Sequence, residues 1–165
     1  MKQVRLEKVT INMGVGQAGE ELKKAEEILK RVTDRKPVQT VSKSKIPTWG
    51  LREGLPIGVK VTLRGKPAAQ FLEKAFHAKE KKLKGSSFDK WGNFGFGVKE
   101  YIDLPGAKYD PKLGIRGFDV LVSLEKAGYR VKRRKLKTSK VGKAQGISKE
   151  EAIAFVQQNF GVEVE

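Results

Sequence analysis

The six residues Gly14 to Gly19, GVGQAG, have the spacing of a dinucleotide-binding turn. In such a turn the glycines let backbone approach a pyrophosphate, and amides at a helix start hold its charge. The run follows a strand pattern and precedes a helical one. Lys43 and Lys45 come soon after the next strand, where they could hold a 2′-phosphate. Three features weigh against an NADP-linked enzyme. The strand after that is reached through a loop, with no second crossover helix. No acid stands near position 40 to meet a ribose. A chain of 165 residues is short for a cofactor half plus a substrate half. The competing reading is a tight strand-to-helix turn whose exposed amides attract an anion.

Other catalytic chemistry has little to stand on. His77 is the one histidine in the chain, set just beyond the apolar stripe of a lysine-rich helix. A zinc site or a histidine-containing triad lacks its second member, and a solvated helix residue is expected. Asp103, Asp110 and Asp119 lack the compact spacing of a calcium loop. Most other carboxylates sit on helices beside lysines, as surface charge pairs do. Cysteine is absent, which removes disulfides and thiolate metal sites and points to an intracellular protein. The start, MKQVRLEKV, lacks a signal-peptide core, and no apolar stretch is long enough to span a membrane. No cofactor and no metal are expected.

The positive charge is the stronger signal. Lys plus Arg is 35 against 19 Asp plus Glu, a formal charge of +16. Such an excess favours polyanionic partners, nucleic acid above all. Two runs concentrate it. From Arg35 to Lys66 a single acid, Glu53, interrupts the cations. That stretch ends in a strand with Ile57, Val59, Val61 and Leu63 on one face and Gly58, Lys60, Thr62 and Arg64 on the other. One face can be buried while the other offers cations and a hydroxyl to phosphates. The second run, Arg130 to Lys143, has no acid. It reads either as an edge strand guarded by charge or as an RNA contact through Arg130, Lys132, Arg133, Arg134 and Lys135, with RNA favoured. Trp49 and Trp91 lie in glycine-flanked loops. Each could anchor its loop on the core or offer a stacking face to an unpaired base. Stacking is the better reading at Trp49, which has Lys45 and Arg52 nearby.

These residues need a scaffold, and periodicity supplies it. Val9, Ile11 and Met13 alternate as a strand, with Val4 and Leu6 in an earlier part and a phase slip at Glu7-Lys8. Leu22, Ala25, Leu29 and Val32 mark a helix from Glu20, and Val38 to Val41 is a short strand. A Gly- and Pro-containing loop covers about Ser42 to Leu55. Pro67 opens a helix with an Ala68, Phe71, Leu72, Ala75 and Phe76 stripe, expected to run through lysines to Gly85. Phe94, Phe96 and Val98 alternate with Gly95, Gly97 and Lys99, where glycine often marks close approach of another backbone. Leu104 to Gly117 is a long loop. Phe118 to Leu124 is a strand expected to turn at Lys126-Ala127-Gly128 into a second one through Tyr129, Val131 and Arg133. Ser148 and Glu151 form a capping box for a last helix. Hairpins outnumber βαβ crossovers. The fold expected is α+β in two layers: a curved, mostly antiparallel mixed sheet with helices on one face. Residues 1–165 are expected to be one RNA-binding domain.

Several segments in this order, VTINMGVG, KPVQTVSKSK, LREGLPIGVKVTLRG, GNFGFGVKEYIDLP and YDPKLGIRGFDV, resemble the universal family of large-subunit ribosomal protein five. The tail GISKEEAIAFVQQNFGVEV looks like the archaeal and eukaryotic branch. The resemblance covers almost the whole chain. It implies a non-enzymatic structural constituent of the large subunit that binds 5S rRNA, helps anchor it in the central protuberance and touches P-site tRNA.

By motif, Asn12 and Thr62 match positions that meet 5S rRNA; Arg35, Lys36, Thr40, Lys60 and Arg64 complete the candidate surface. Arg35 stands where the family usually has glutamine, so a phosphate contact replaces an amide contact there. The loop from Lys43 to Gly58 matches the arm that reaches tRNA, with Lys43, Lys45, Trp49 and Arg52 as contacts. Tyr109, Lys112 and Arg116 lie where the family faces the small subunit. The partners implied are 5S rRNA, large-subunit rRNA, P-site tRNA, neighbouring large-subunit proteins and a small-subunit head protein. The protein would be a monomer within the cytoplasmic ribosome, without a membrane contact. An RNA-binding or chaperone module outside the ribosome is the alternative, and an NADP-binding enzyme the less favoured one.

Overall fold

A computed structural model describes residues 3–165. In chain order the elements are β1 (Val4–Gly14), α1 (Glu20–Thr33), β2 (Val38–Val41), β3 (Pro56–Leu63), α2 (Lys66–Ala78), β4 (Lys82–Leu83), β5 (Phe94–Val98), β6 (Phe118–Lys126), α3 (Arg130–Arg133), α4 (Lys149–Phe160) and β7 (Glu163–Val164). Five strands make an open, mostly antiparallel sheet in the order β2-β3-β1-β6-β5. The fold is α+β, as the hairpin-rich pattern predicts. The described residues form two compact units.

One unit comprises Thr10–Thr62 and Gly97–Val120. Here the alternation does what its period requires. Ile11, Met13, Val59 and Val61 are buried, and so are Leu22, Ala25, Ile28 and Leu29 of α1. Gln39 pairs with Val59 in the ladder and donates to Glu26 of α1 at 3.2 Å, which puts the helix on the Val59 side. Val38, Thr40, Gly58, Lys60 and Thr62 therefore line the opposite, open side. Gly117 makes a close backbone approach in this unit. A β-carbon there would sit 2.6 Å from the Lys99 carbonyl oxygen. The nearest neighbour of Gly97 is instead the Asp119 side chain, at 3.5 Å.

The other unit comprises residues 3–9, Leu63–Phe96 and Leu121–Glu165. Its core is an aromatic cluster. Phe76 of α2 stacks on Phe96 at 5.4 Å and meets Phe160 of α4 edge-on at 5.2 Å. Truncating a buried aromatic of this kind costs about 3–5 kcal/mol. Ser148 caps α4 through the expected box, and Lys126, buried at the end of β6, donates to both Glu151 carboxylate oxygens and to the Gly146 carbonyl. Arg5, Glu7, Arg64, Glu125 and Arg133 form an ion network. Arg133 bridges Glu7 and Glu125 at 2.9 and 2.8 Å, and Arg64 reaches Glu7 at 3.4 Å. The buried Glu125 Oε2 has no hydrogen bond among the described residues, so Arg133 neutralises it by proximity of charge. Glu7 is thus half-buried beside Arg64, and Val9, two residues on, is fully buried.

Three expectations change. The helix after Pro67 ends at Ala78, because Glu80 and Lys81 take left-handed φ values of 56° and 55°. The lysines beyond it lie outside the helix and near the two-stranded β4–β7 pair, which the sequence reading does not anticipate. The hairpin after β6 does not form. Both edges of β6 are already taken by β1 and β5, so a returning strand has no backbone to pair with. Residues Arg130–Arg133 make a helical turn instead, which excludes the charge-guarded edge strand. Trp91 does not anchor its loop on the core; it is 65% exposed.

Candidate nucleic-acid interface

The register of β2 and β3 sets the central surface. Thr40 faces Gly58, and Val38 faces Lys60. Extending the same register carries Lys36 and Arg35, both exposed, toward the Thr62 end. Lys60 and Thr62 are exposed and Thr40 and Asn12 half-buried. Neither β2 nor β3 contains an acid. Lys60 has no ion pair among the described residues. The arrangement offers hydroxyl, amide and ammonium groups on a rigid ladder, suited to phosphates, 2′-hydroxyls and base edges. Thr10 belongs to this side too. The Val9, Ile11, Met13 alternation carries that information, although Thr10 is not among the residues expected from sequence.

Arg64 is exposed just beyond the end of β3 and belongs to the other unit, where Glu7 holds it. The second basic run divides similarly. Arg133 is occupied by Glu7 and Glu125, and Arg134 donates to the Lys137 carbonyl. Arg130, Lys132 and Lys135 are exposed, with no ion pair among the described residues.

The arm expected from Lys43 to Gly58 ends at Leu55, because Pro56 to Gly58 already belong to β3, and it has its own frame. Ser42 N–H donates to Leu55 O at 2.8 Å and closes the base; Ile46 and Leu51 exchange backbone hydrogen bonds at 3.0 and 3.1 Å. Above them Pro47–Trp49 forms a tight helical turn, ended by Gly50 at φ 65°. Trp49 is 72% exposed at this tip, with Lys43, Lys45 and Arg52 also exposed.

In the 104–117 loop Tyr109 and Lys112 are exposed, whereas the Arg116 guanidinium is held by Glu21 of α1. Asp110 accepts from Lys112 N–H and Arg31, and these bonds hold its carboxyl below the ordinary range.

The dinucleotide reading fails on geometry. Val15 and Gly16 N–H, two amides of that turn, both donate to Ile57 O, at 3.0 and 2.8 Å, and so are not free for a pyrophosphate. β2, the strand after α1, is separated from β1 by β3 and runs antiparallel to β3, where the nucleotide fold requires a parallel neighbour beside β1. His77 is an exposed residue of α2. Among the described residues no three of His, Asp and Glu gather as a metal site, and no helix is long and apolar enough to cross a membrane.

These features define a basic α+β protein with an acid-free polar surface on an open sheet. Comparison with known proteins narrows the class. The family model for ribosomal protein L5 matches residues 1–52, and the model for the C-terminus of the same ribosomal family matches residues 56–155. The large ribosomal subunit protein uL5 of Nanoarchaeum equitans is 53% identical over 99% of this chain and 97% of its own length. The proteins of the same description from Methanococcus vannielii and Sulfurisphaera tokodaii are 52% and 50% identical, over 99% of this chain and 92% and 93% of theirs. The chain belongs to the ribosomal protein L5 family. It is a ribosomal protein of the cytoplasmic ribosome, a structural constituent and not an enzyme.

Proposed function

We propose that this protein, as one domain of residues 1–165, is a constituent of the large ribosomal subunit that binds 5S rRNA, helps anchor it in the central protuberance and touches P-site tRNA. The observation that carries the 5S reading is the acid-free ladder of β2 and β3, with Thr40, Lys60 and Thr62 on the side away from α1. Asn12, Arg35 and Lys36 extend that surface within the same unit, and Arg64, in the other unit, would add a phosphate contact of its own. The family membership and the names of the archaeal relatives support the large subunit as its setting.

The exposed tip at Trp49, with Lys43, Lys45 and Arg52, supports a separate arm toward tRNA. Arg130, Lys132, Arg133, Arg134 and Lys135 would meet large-subunit rRNA. Tyr109, Lys112 and Arg116 would face a small-subunit head protein, with neighbouring large-subunit proteins around a monomer. The Glu21 pair makes Arg116 the residue here whose side chain must first be released.

The test is Asn12→Ala combined with Thr62→Val. Each change removes polar contact on the open side, so 5S rRNA should bind about tenfold more weakly. The unfolding midpoint should hold, because neither side chain is buried. Unchanged 5S affinity in the folded double variant would reject a specific sheet surface.

A further inference from the structure

A groove of about 770 Å³ in the unit containing α4 lies between Trp91, Tyr129 and the segment from Thr138 to Lys143. Its volume falls in the range of sites that enclose small ligands. The Trp91 side is built on a rigid turn. The Asp89 Oδ1 accepts from both Trp91 N–H and Asn93 N–H at 2.8 Å, and Asp89 N–H donates to Asn93 O at 2.8 Å. Gly92, at φ 77°, lets this turn lie flat on Ile147; a β-carbon there would sit 2.5 Å from the isoleucine. The turn is thus docked through Gly92 while the indole beside it is left 65% exposed. Folding alone gains nothing from holding a large aromatic in water on a fixed support.

The opposite wall is held as firmly. Tyr129 O–H donates to Gln145 O at 3.3 Å, Gln145 Nε2 donates to Ala127 O at 2.6 Å, and Ser139 N–H donates to Val131 O at 3.2 Å. Lys132, Lys140 and Lys143 line the groove, exposed and without ion pairs among the described residues. Lys90 Nζ lies over the indole at 5.6 Å from its centroid, adding positive charge beside the stacking surface.

We propose that this groove receives a single unpaired RNA base, stacked on Trp91, with its flanking phosphates on Lys132, Lys140 and Lys143. The stacking plane accounts for the exposed indole, and the acid-free lysines account for a polyanionic chain rather than a neutral ligand. The site is distinct from the β2–β3 surface and rests on the reading that this protein meets RNA.

The full chain carrying Trp49→Phe, whose remaining indole is Trp91, is titrated with single-stranded RNA of roughly ten nucleotides while tryptophan emission is followed. Emission should be quenched, with an affinity that falls as salt rises. A duplex of the same sequence should quench far less. Trp91→Ala should weaken single-strand binding by about 5- to 100-fold, the usual worth of one base–aromatic stack, and Trp91→Phe should recover most of it. RNA binding without quenching, or equal quenching by poly-glutamate, would overturn the proposal; the second result would make the groove a site for an acidic peptide. Assay of 5S rRNA in parallel separates the two readings. Intact 5S binding with a silent Trp91 removes only the groove, whereas quenching by single strands without 5S affinity removes only the 5S reading.

Discussion

Gly58 and Thr40 stand opposite each other on β3 and β2, so close that a β-carbon on Gly58 would lie 2.8 Å from the Thr40 hydroxyl oxygen. The Met13 carbonyl oxygen would be 3.1 Å away on the other side. The glycine keeps three strands in register beneath the candidate 5S surface. Gly58→Ala should destabilise the protein by about 1–3 kcal/mol, the usual cost of overpacking. Adding Thr40→Ala should recover part of this, because it removes the nearer atom and leaves Met13. Denaturant unfolding of the two variants checks both; a second substitution that only adds to the loss would place the strain elsewhere.

Glu7 restrains two arginines of the basic surface at once. Its Oε1 lies 2.9 Å from Arg133 and 3.4 Å from Arg64. Glu7→Gln removes the charge and frees Arg64 for phosphate, while Arg133 keeps Glu125. RNA affinity should rise, and the salt dependence of log K should steepen by about one unit of slope. A slope unchanged from the parent would mean that Arg64 does not meet RNA.

The Trp49 tip is closed by its own hydrogen bonds, at Ser42–Leu55 and Ile46–Leu51. Replacing Trp49 and Arg52 by alanine should therefore leave 5S binding intact and speed dissociation of P-site tRNA from ribosomes. Filter binding of 5S rRNA and tRNA off-rates on reconstituted ribosomes measure the two separately. Loss of 5S affinity would assign the loop to the 5S interface instead.

Lys126 and then Ser148 N–H hold the Glu151 carboxyl below its ordinary pKa. A carboxyl lowered in the folded state stabilises the fold above its unfolded pKa, and that contribution is lost as pH falls through the folded value. The docking of α4 should accordingly weaken as pH drops below the ordinary carboxylate range near about 4. Lys126→Met should remove most of this dependence. Unfolding midpoints across acidic pH follow it; identical profiles for parent and variant would assign the acid sensitivity to other carboxylates.

Much of the scaffold was legible because its signals are local. The glycine-broken turn, the strand expected from Ile57 to Arg64, which stops one residue earlier at Leu63, and the Ser148 box depend on neighbours in sequence. The expected hairpin after β6 is absent for the opposite reason. Tyr129, Val131 and Arg133 alternate as a strand does, but pairing depends on a free edge, and β1 and β5 leave β6 none. The end of α2 was similarly masked, since lysines continue in composition after the backbone has turned left-handed at Glu80 and Lys81.

The sequence by itself determined that this is a basic α+β protein with one cationic strand face, and its ordered motifs identified the family. Periodicity and charge are properties of the chain, so they survive without coordinates. Only the tertiary structure decided which cations are engaged, with Arg116 on Glu21 and Arg64 and Arg133 on Glu7. It alone decided that the Val15 and Gly16 amides of GVGQAG are occupied by Ile57, and that Trp91 stands exposed beside a lysine-lined groove. These depend on residues far apart in sequence, whose distances are set by packing and not by spacing along the chain.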